Sequence, residues 1–281
     1  MTTPRIAVRT ARPGGLSKTV NDSLVVMWRN LKRIPRIPEL AIFAILQSIM
    51  FVLLFAFVFG GAIVLPGYPD PSAFREYLMP GIFAQTIVFA SATTAIGMAD
   101  DIHKGIIDRF RSLPMARSAV LTGRTLSDVV YNGGILIVLM LSGVAVGWTV
   151  HTGIPALLAG VGLLLLFAFA MAWLGVWLGL SVPTVEVAQQ VGFTVLFPIT
   201  FISNVFVATS TLPSWLQPVA EWNPTSTLTA SLRQLWGNPS PPTGSTSLAT
   251  QQPVLVTLIW VVIVVAIFGT LGVRKYRSLS R

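Results

Sequence analysis

The chain has 281 residues, 53% of them hydrophobic and only 10% charged, with a mean hydropathy of +0.75; a soluble domain is about 25% charged. These values exclude an ordinary cytosolic enzyme and a disordered chain, and the absence of cysteine excludes a disulfide scaffold. The formal charge of +9 would suit a nucleic-acid partner, unless the lysines and arginines are loop residues flanking membrane spans.

Residues 17–37 place Val20, Leu24, Met27, Trp28 and Leu31 at helical spacing, with Arg29, Lys32, Arg33 and Arg36 on the opposite face. Basic residues opposite a Trp among aliphatics predict an interfacial elbow helix along the inner leaflet. The alternative is a solvated helix packed on another protein. Pro35 and Pro38 end it. Six apolar stretches then run over about 41–65, 79–99, 129–150, 156–180, 191–209 and 253–273, each near the roughly 20 residues that a membrane helix needs. The first and fourth carry no ionisable residue, and the fifth holds Pro198 and Asn204.

Between the second and third stretches, Ile102, Ile106, Ile107 and Phe110 predict a short amphipathic helix, broken at Leu113-Pro114. Ser118 to Ser127 form a second helical run leading into the third stretch. A helix showing Ile106 and Phe110 to the cytoplasm needs a partner groove, or else these side chains pack beneath the bundle. Adjacent Asp100 and Asp101 are read as helix capping and a complement to the helix dipole. The pairs Gly143/Gly147 and Gly175/Gly179 predict close helix packing.

Between the fifth and sixth stretches, Pro213 suits a first helical position. Trp215, Leu216, Val219 and Trp222 form one apolar face, and Asn223-Pro224 breaks the chain. Thr225 or Ser226 can then cap a second helix through Trp236. Three tryptophans here predict a place at the membrane interface, as two short interfacial or re-entrant helices. Arg233, in an apolar setting, needs Glu221 or main-chain carbonyls as partners.

Sorting charges by loop resolves the +9. Seventeen of the nineteen lysines and arginines lie in the first 40 residues, in the loop after the second stretch or in the tail; Arg75 and Arg233 are the exceptions. The bias places both termini in the cytoplasm and removes the reason to invoke nucleic acid. The domain reading is therefore a cytoplasmic N-terminus (1–40), a six-helix membrane domain (41–273) and a basic tail (274–281).

The chemistry that is missing matters as much. No phosphate-binding loop ends in Gly-Lys, so the chain has no ATPase motif. The two histidines, His103 and His151, fall on opposite sides of the membrane, which excludes most transition-metal sites. The span interiors hold no Asp, Glu or Lys relay of the kind an ion-coupled carrier uses. A membrane-embedded enzyme would need His, Asp or Ser clustered at one depth, which is absent. Gln47, Gln85, Thr93, Thr94, Asn132 and Asn204 are the uncharged polar groups in the spans, read as interhelical hydrogen bonders or as lining a permeation surface. A membrane protein of this kind needs an external motor.

The stretch Asp100-Asp101, Gly105, Asp108-Arg109-Phe110-Arg111-Ser112-Leu113-Pro114 and Arg117 resembles the signature of type-2 ABC exporter permeases. Tyr77-Leu78-Met79-Pro80-Gly81 and Trp222-Asn223-Pro224 with Arg233-Gln234-Leu235 match as well, in the same order. Within that family the chain is similar to the daunorubicin-resistance-type permeases of actinobacteria, over almost its whole length. The resemblance implies an all-α integral membrane fold with six transmembrane helices, an N-terminal elbow helix, a cytoplasmic coupling helix and an outer re-entrant hairpin between helices five and six. It implies two copies of a separate ABC ATP-binding subunit, which would hold ATP and Mg, and a second permease chain, identical or closely related. The coupling residues would be Asp101, Ile102, Lys104, Gly105, Ile106, Asp108, Arg109, Phe110 and Arg111. The outer gate would be Trp215, Glu221, Trp222, Asn223, Pro224 and Arg233, and the substrate path Gln47, Phe51, Gln85, Phe89, Thr93, Phe197 and Asn204. Implied too are a bacterial plasma membrane location, lipid contacts, no cofactor or metal in this chain, and a lipophilic or amphipathic cargo. A polysaccharide or glycolipid permease, and a non-transporting structural subunit, are the alternatives.

Overall fold

The structure, a computed structural model, describes residues 16–32, 38–59, 67–68, 70–107, 117–242 and 244–278. Its described elements are helical. α1 spans Leu16–Leu31, and α2 spans Pro38–Leu53 and continues as a π-helical segment, Leu54–Phe59. α3 is Pro71–His103, α4 Arg117–Ala145, α5 Ile154–Ser181 and α6 Val185–Phe201. After a short 3-10 turn at Thr209–Thr211 come α7 (Gln217–Trp222), α8 (Pro224–Trp236) and α9 (Leu248–Gln251). The last rod consists of α10 (Pro253–Val264), a π-helical segment (Val265–Gly269) and α11 (Thr270–Ser278). Among the described residues, four helices are long and apolar enough to cross a membrane: α3, α4, α5 and the last rod. Two shorter apolar helices lie at 45–58 and 185–201.

α3 starts well before the apolar stretch at 79 because Ser72, Arg75 and Glu76 in its first turns lower the local hydropathy. Asp70 is the N-cap and accepts the Ser72 N–H at 2.9 Å, with Pro71 opening the helix. Hydrogen bonds from the Ser72 side chain and main chain hold the Asp70 carboxyl below its ordinary range. At 33 residues α3 is about 50 Å long, longer than a hydrocarbon core of roughly 30 Å. The helical run expected at 118–127 leads into the third stretch as one continuous helix, α4.

The fifth apolar stretch departs most from expectation. α6 ends at Phe201, not 209, and starts at Val185, giving 17 residues or about 26 Å. Pro198 removes one helical N–H, and the Ile202 N–H closes the last turn onto the Pro198 carbonyl at 2.8 Å. Irregular backbone at 202–208 must then find its partners within the protein.

α3 is the central helix and packs on α4, α5, α6 and α8. Against α5 the approach is very close: a Cβ at Gly175 would overlap the Ser91 carbonyl, and one at Gly179 the Ala95 carbonyl. Gly143 does pack beneath Met79 and Phe83, but Gly147 makes no such contact. With φ at +98°, Gly147 instead ends α4, and the Trp148 N–H closes back onto Gly143 at 2.9 Å. The main core gathers Phe83, Trp148 and Trp236 in T-shaped pairs with centroids 5.1–5.9 Å apart. A second cluster, at the other end of α3, joins Met98, Ile107, Leu121, Trp173 and Tyr276.

α1 lies along α4, with Ser23 and Val26 buried against Gly123. Val20, Leu24, Val25 and Trp28 stay exposed on its far side. The helix is thus apolar on two sides, one facing the protein and one facing out. Pro35 lies outside the described residues, and Pro38 opens α2 instead of ending α1.

Candidate functional site

Three groups of residues carry the functional expectations. Two sit at opposite ends of α3: 24 residues separate Tyr77 from Asp101, about 36 Å along the helix.

At the α1 end, α3 stops at His103, where the Lys104 N–H closes onto the Asp100 carbonyl at 2.9 Å and Gly105 turns the chain with φ +63°. Asp101 and Ile102 belong to α3, while Lys104 and Gly105 form the turn. Ile106 is half-buried and Ile107 is buried among Met98, Leu121 and Tyr276, beneath the bundle. Asp108, Arg109, Phe110 and Arg111 lie outside the described residues. The capping role read for Asp100 and Asp101 does not hold. Both sit in the final turn of α3, the negative end of the helix dipole, where a carboxylate is disfavoured. Cations neutralise them: Lys104 reaches Asp100 at 2.6 Å and Arg124 reaches Asp101 at 2.5 Å.

At the α8 end, Asn223 and not Thr225 or Ser226 is the N-cap. It accepts the Thr225 N–H at 2.8 Å, and Pro224 opens the helix. Its amide Nδ2 also donates to Ile199 and Ile202 carbonyls, at 2.6 and 2.8 Å, so one side chain caps α8 and seals the broken end of α6. Arg233 completes the seal. Nε donates to the Tyr77 carbonyl at 2.9 Å, and Nη2 to the carbonyls of Asn204 and Val205 at 3.0 and 3.3 Å. The guanidinium lies 3.5 Å from the Tyr77 ring centroid, and the Tyr77 hydroxyl donates to the Asn204 carbonyl at 2.8 Å. The main-chain alternative for Arg233 is therefore the one adopted. Glu221 turns away and accepts from Ser245 and Ser247 at 2.9 and 2.8 Å. Trp215 and Trp222 are exposed as an interfacial position requires, but Trp236 is fully buried in the core. Pro213 only starts a turn, and α7 begins later, at Gln217.

Between the ends, two of the residues expected to line a path, Phe51 and Phe197, belong to one chain of ring contacts. Phe51 meets Phe55 at a tilt (5.0 Å), Phe55 stacks on Phe206 (4.5 Å), Phe206 meets Phe201 at a tilt (5.5 Å) and Phe201 stacks on Phe197 (4.2 Å). Phe51, Phe197 and Phe201 are exposed, the last two by about half. Phe89 on α3 meets Phe193 at 5.8 Å. Gln47 and Thr93 are exposed, one turn from Phe51 and Phe89 respectively. Gln85 is buried, and neither its carboxamide oxygen nor that of half-buried Asn204 has a donor. Phe55, Phe193, Phe201 and Phe206 were not singled out, although 193, 197 and 201 recur at four-residue spacing on one helix face.

Comparison with known proteins fits this picture. The model of the ABC-2 type transporter family matches residues 22–236, from α1 to the last residue of α8. The chain is 30% identical, over 216 residues, to the daunorubicin resistance ABC transporter permease protein DrrB1 of Streptomyces coeruleorubidus, covering 77% of this chain and 75% of that protein. The chain belongs to the ABC-2 type transporter family.

Proposed function

We propose that this protein is the membrane-spanning half of an ATP-driven exporter that moves lipophilic or amphipathic molecules out across the bacterial plasma membrane. The observation that carries the reading is the family match over residues 22–236. The chain crosses the membrane six times, with both termini and the 101–113 coupling segment in the cytoplasm and the α7–α8 hairpin as a re-entrant outer gate. Two such chains, identical or closely related, pair with two copies of a separate ATP-binding subunit, which supplies ATP and Mg. Closure of that motor pair pulls on the coupling segments and moves the packed helices as rigid bodies.

The cargo reading rests on the exposed ring face and on the drug named for the relative. Among the described residues the carboxylates at the end of α3 are paired with Lys104 and Arg124, which supports an external motor over ion coupling through them. Coexpression with an ATP-binding subunit should give inside-out vesicles that accumulate a planar aromatic dye only with Mg-ATP. Accumulation without the second subunit, or driven by a proton gradient, would sink the reading.

Two substitutions test its parts. Phe201 contacts both Phe197 and Phe206. Removing an aromatic contact with the dye worth about 0.5–1.5 kcal/mol should lower dye affinity several-fold in Phe201→Ala, while Phe201→Tyr transports normally. Equal transport by all three counts against this face as the path. Arg109→Glu or Phe110→Ala should reduce co-purification of the ATP-binding subunit; unchanged recovery removes the 101–113 segment as its docking element.

A further inference from the structure

We infer that Arg124 is a positioning residue for coupling: it locks together the two helices between which the coupling segment is strung, so that a pull on that segment reaches α3 as one rigid movement. The inference rests on the proposed docking of that segment to an ATP-binding subunit.

The observation is a polar cluster inside an otherwise apolar contact. The Arg124 Nη1 donates to Asp101 Oδ2 at 2.5 Å, and Nε lies 3.4 Å from the Asp128 carboxylate. Asp128 in turn accepts the Thr94 hydroxyl at 2.9 Å. The three charged side chains are only 14–18% exposed. On α3, Thr94, Gly97 and Asp101 follow the i, i+3, i+7 pattern of one helix face; on α4, Arg124 and Asp128 are one turn apart. Between them the guanidinium rests on bare backbone, because a Cβ at Gly97 would overlap Arg124 Nη2.

The positions in the chain give the cluster its meaning. Asp101 is two residues before the end of α3, and Arg124 is two turns into α4. The contact therefore closes a loop over the residues the chain threads between those helices. A planar guanidinium with donors in fixed directions can hold two carboxylates at a set geometry, which a flexible ammonium cannot. Neighbouring contacts extend the block: α1 is pressed onto α4 at Gly123, and α5 onto α3 at Gly175 and Gly179. Farther along α3 sit Phe89 and Thr93, on the proposed cargo face. Without the arginine, Asp101 and Asp128 would lose the cation that bridges them, the helix ends would part, and motion of the segment would be absorbed there.

The test uses the complete complex of permease and ATP-binding subunit in proteoliposomes. The readouts are co-purification of the subunit and dye moved per ATP hydrolysed. For Arg124→Met we expect co-purification to persist and dye per ATP to fall about tenfold, within the range by which coupling networks act; Arg124→Lys, which can reach one carboxylate, should recover part of it. Asp128→Asn added to Arg124→Met should cause no further loss, since both remove the same link. A merely structural role would lower the amount of complex and leave dye per ATP unchanged, and that result overturns the inference. Wild-type dye per ATP in Arg124→Met overturns it too. If Arg109→Glu leaves co-purification intact, it is the docking reading that fails, and this outcome is separate from both.

Discussion

Arg233→Met should leave almost no folded protein, measured as the monodisperse fraction in detergent by fluorescence-detected size exclusion. The guanidinium is fully buried and serves three carbonyls at once, those of Tyr77, Asn204 and Val205. Each buried acceptor stranded without a donor costs about 1–3 kcal/mol, and no water reaches such groups in a bilayer. The Asn204 carbonyl keeps the Tyr77 hydroxyl, so two carbonyls are stranded, a loss that takes a large part of the whole stability of a domain, roughly 5–15 kcal/mol. The cation survives because its surroundings are negative without being carboxylates: the dipole end of α6 and the face of the Tyr77 ring, 3.5 Å away. Arg233→Lys keeps the charge but has no fork to span carbonyls on two elements, so an intermediate yield is expected. Glu221→Gln should matter far less, because Glu221 binds Ser245 and Ser247, not the arginine. Normal folding of Arg233→Met would show that the broken end of α6 does not depend on this residue.

The same region shows where sequence reasoning reaches and where it stops. Hydropathy finds α5 to within two residues and the start of the last rod at Pro253, because long apolar runs report themselves, but it stops at 273 where the basic end of the rod continues to Ser278. It misplaces α3 at its start, where Ser72, Arg75 and Glu76 interrupt the apolar residues although the Asp70-Pro71 cap and first-position signal is present. It also overruns α6, because residues 202–208 are as apolar as a helix yet lie in irregular backbone. What ends α6 is Pro198 together with donors on α8, and pairing between residues more than twenty apart has no local pattern to read.

The functional groups divide along similar lines. Polar residues with an odd apolar setting, such as Arg233 and Asn223, stand out in sequence, and their chemistry limits the partners. The choice between Glu221 and carbonyls for Arg233 needed the fold. Arg124 did not stand out, since a basic residue in a basic loop looks like topology. Only the helix faces bring it onto Asp101 and Asp128. Phe51 and Phe197 are legible as aromatic residues in spans, but Phe206, which links them through Phe55 and Phe201, lies in no regular element.

Alanine at Gly175 or Gly179 should destabilise the protein, against the usual sign of that change. In a helix interior, glycine to alanine ordinarily stabilises by roughly 0.5–1 kcal/mol. Here the added Cβ would meet main-chain carbonyls, of Ser91 at 175 and of Ala95 at 179, and backbone inside a central helix cannot rotate away as a side-chain tip can. The two helices must separate instead, and overpacking of this kind costs about 1–3 kcal/mol. Gly162 on the same helix is the control, since a Cβ there meets nothing within 4 Å; Gly162→Ala should be neutral or raise the melting temperature. The consequences go beyond stability. α5 backs the stretch of α3 that carries Thr94, facing Arg124 and Asp128, and Phe89 on the ring face. Gly175→Ala should therefore lower both the melting temperature and dye transport per folded complex, and the Gly175→Ala/Gly179→Ala pair should do so more strongly than either alone. Equal melting temperatures for Gly162→Ala and Gly175→Ala would mean that α3 and α5 do not touch through these glycines.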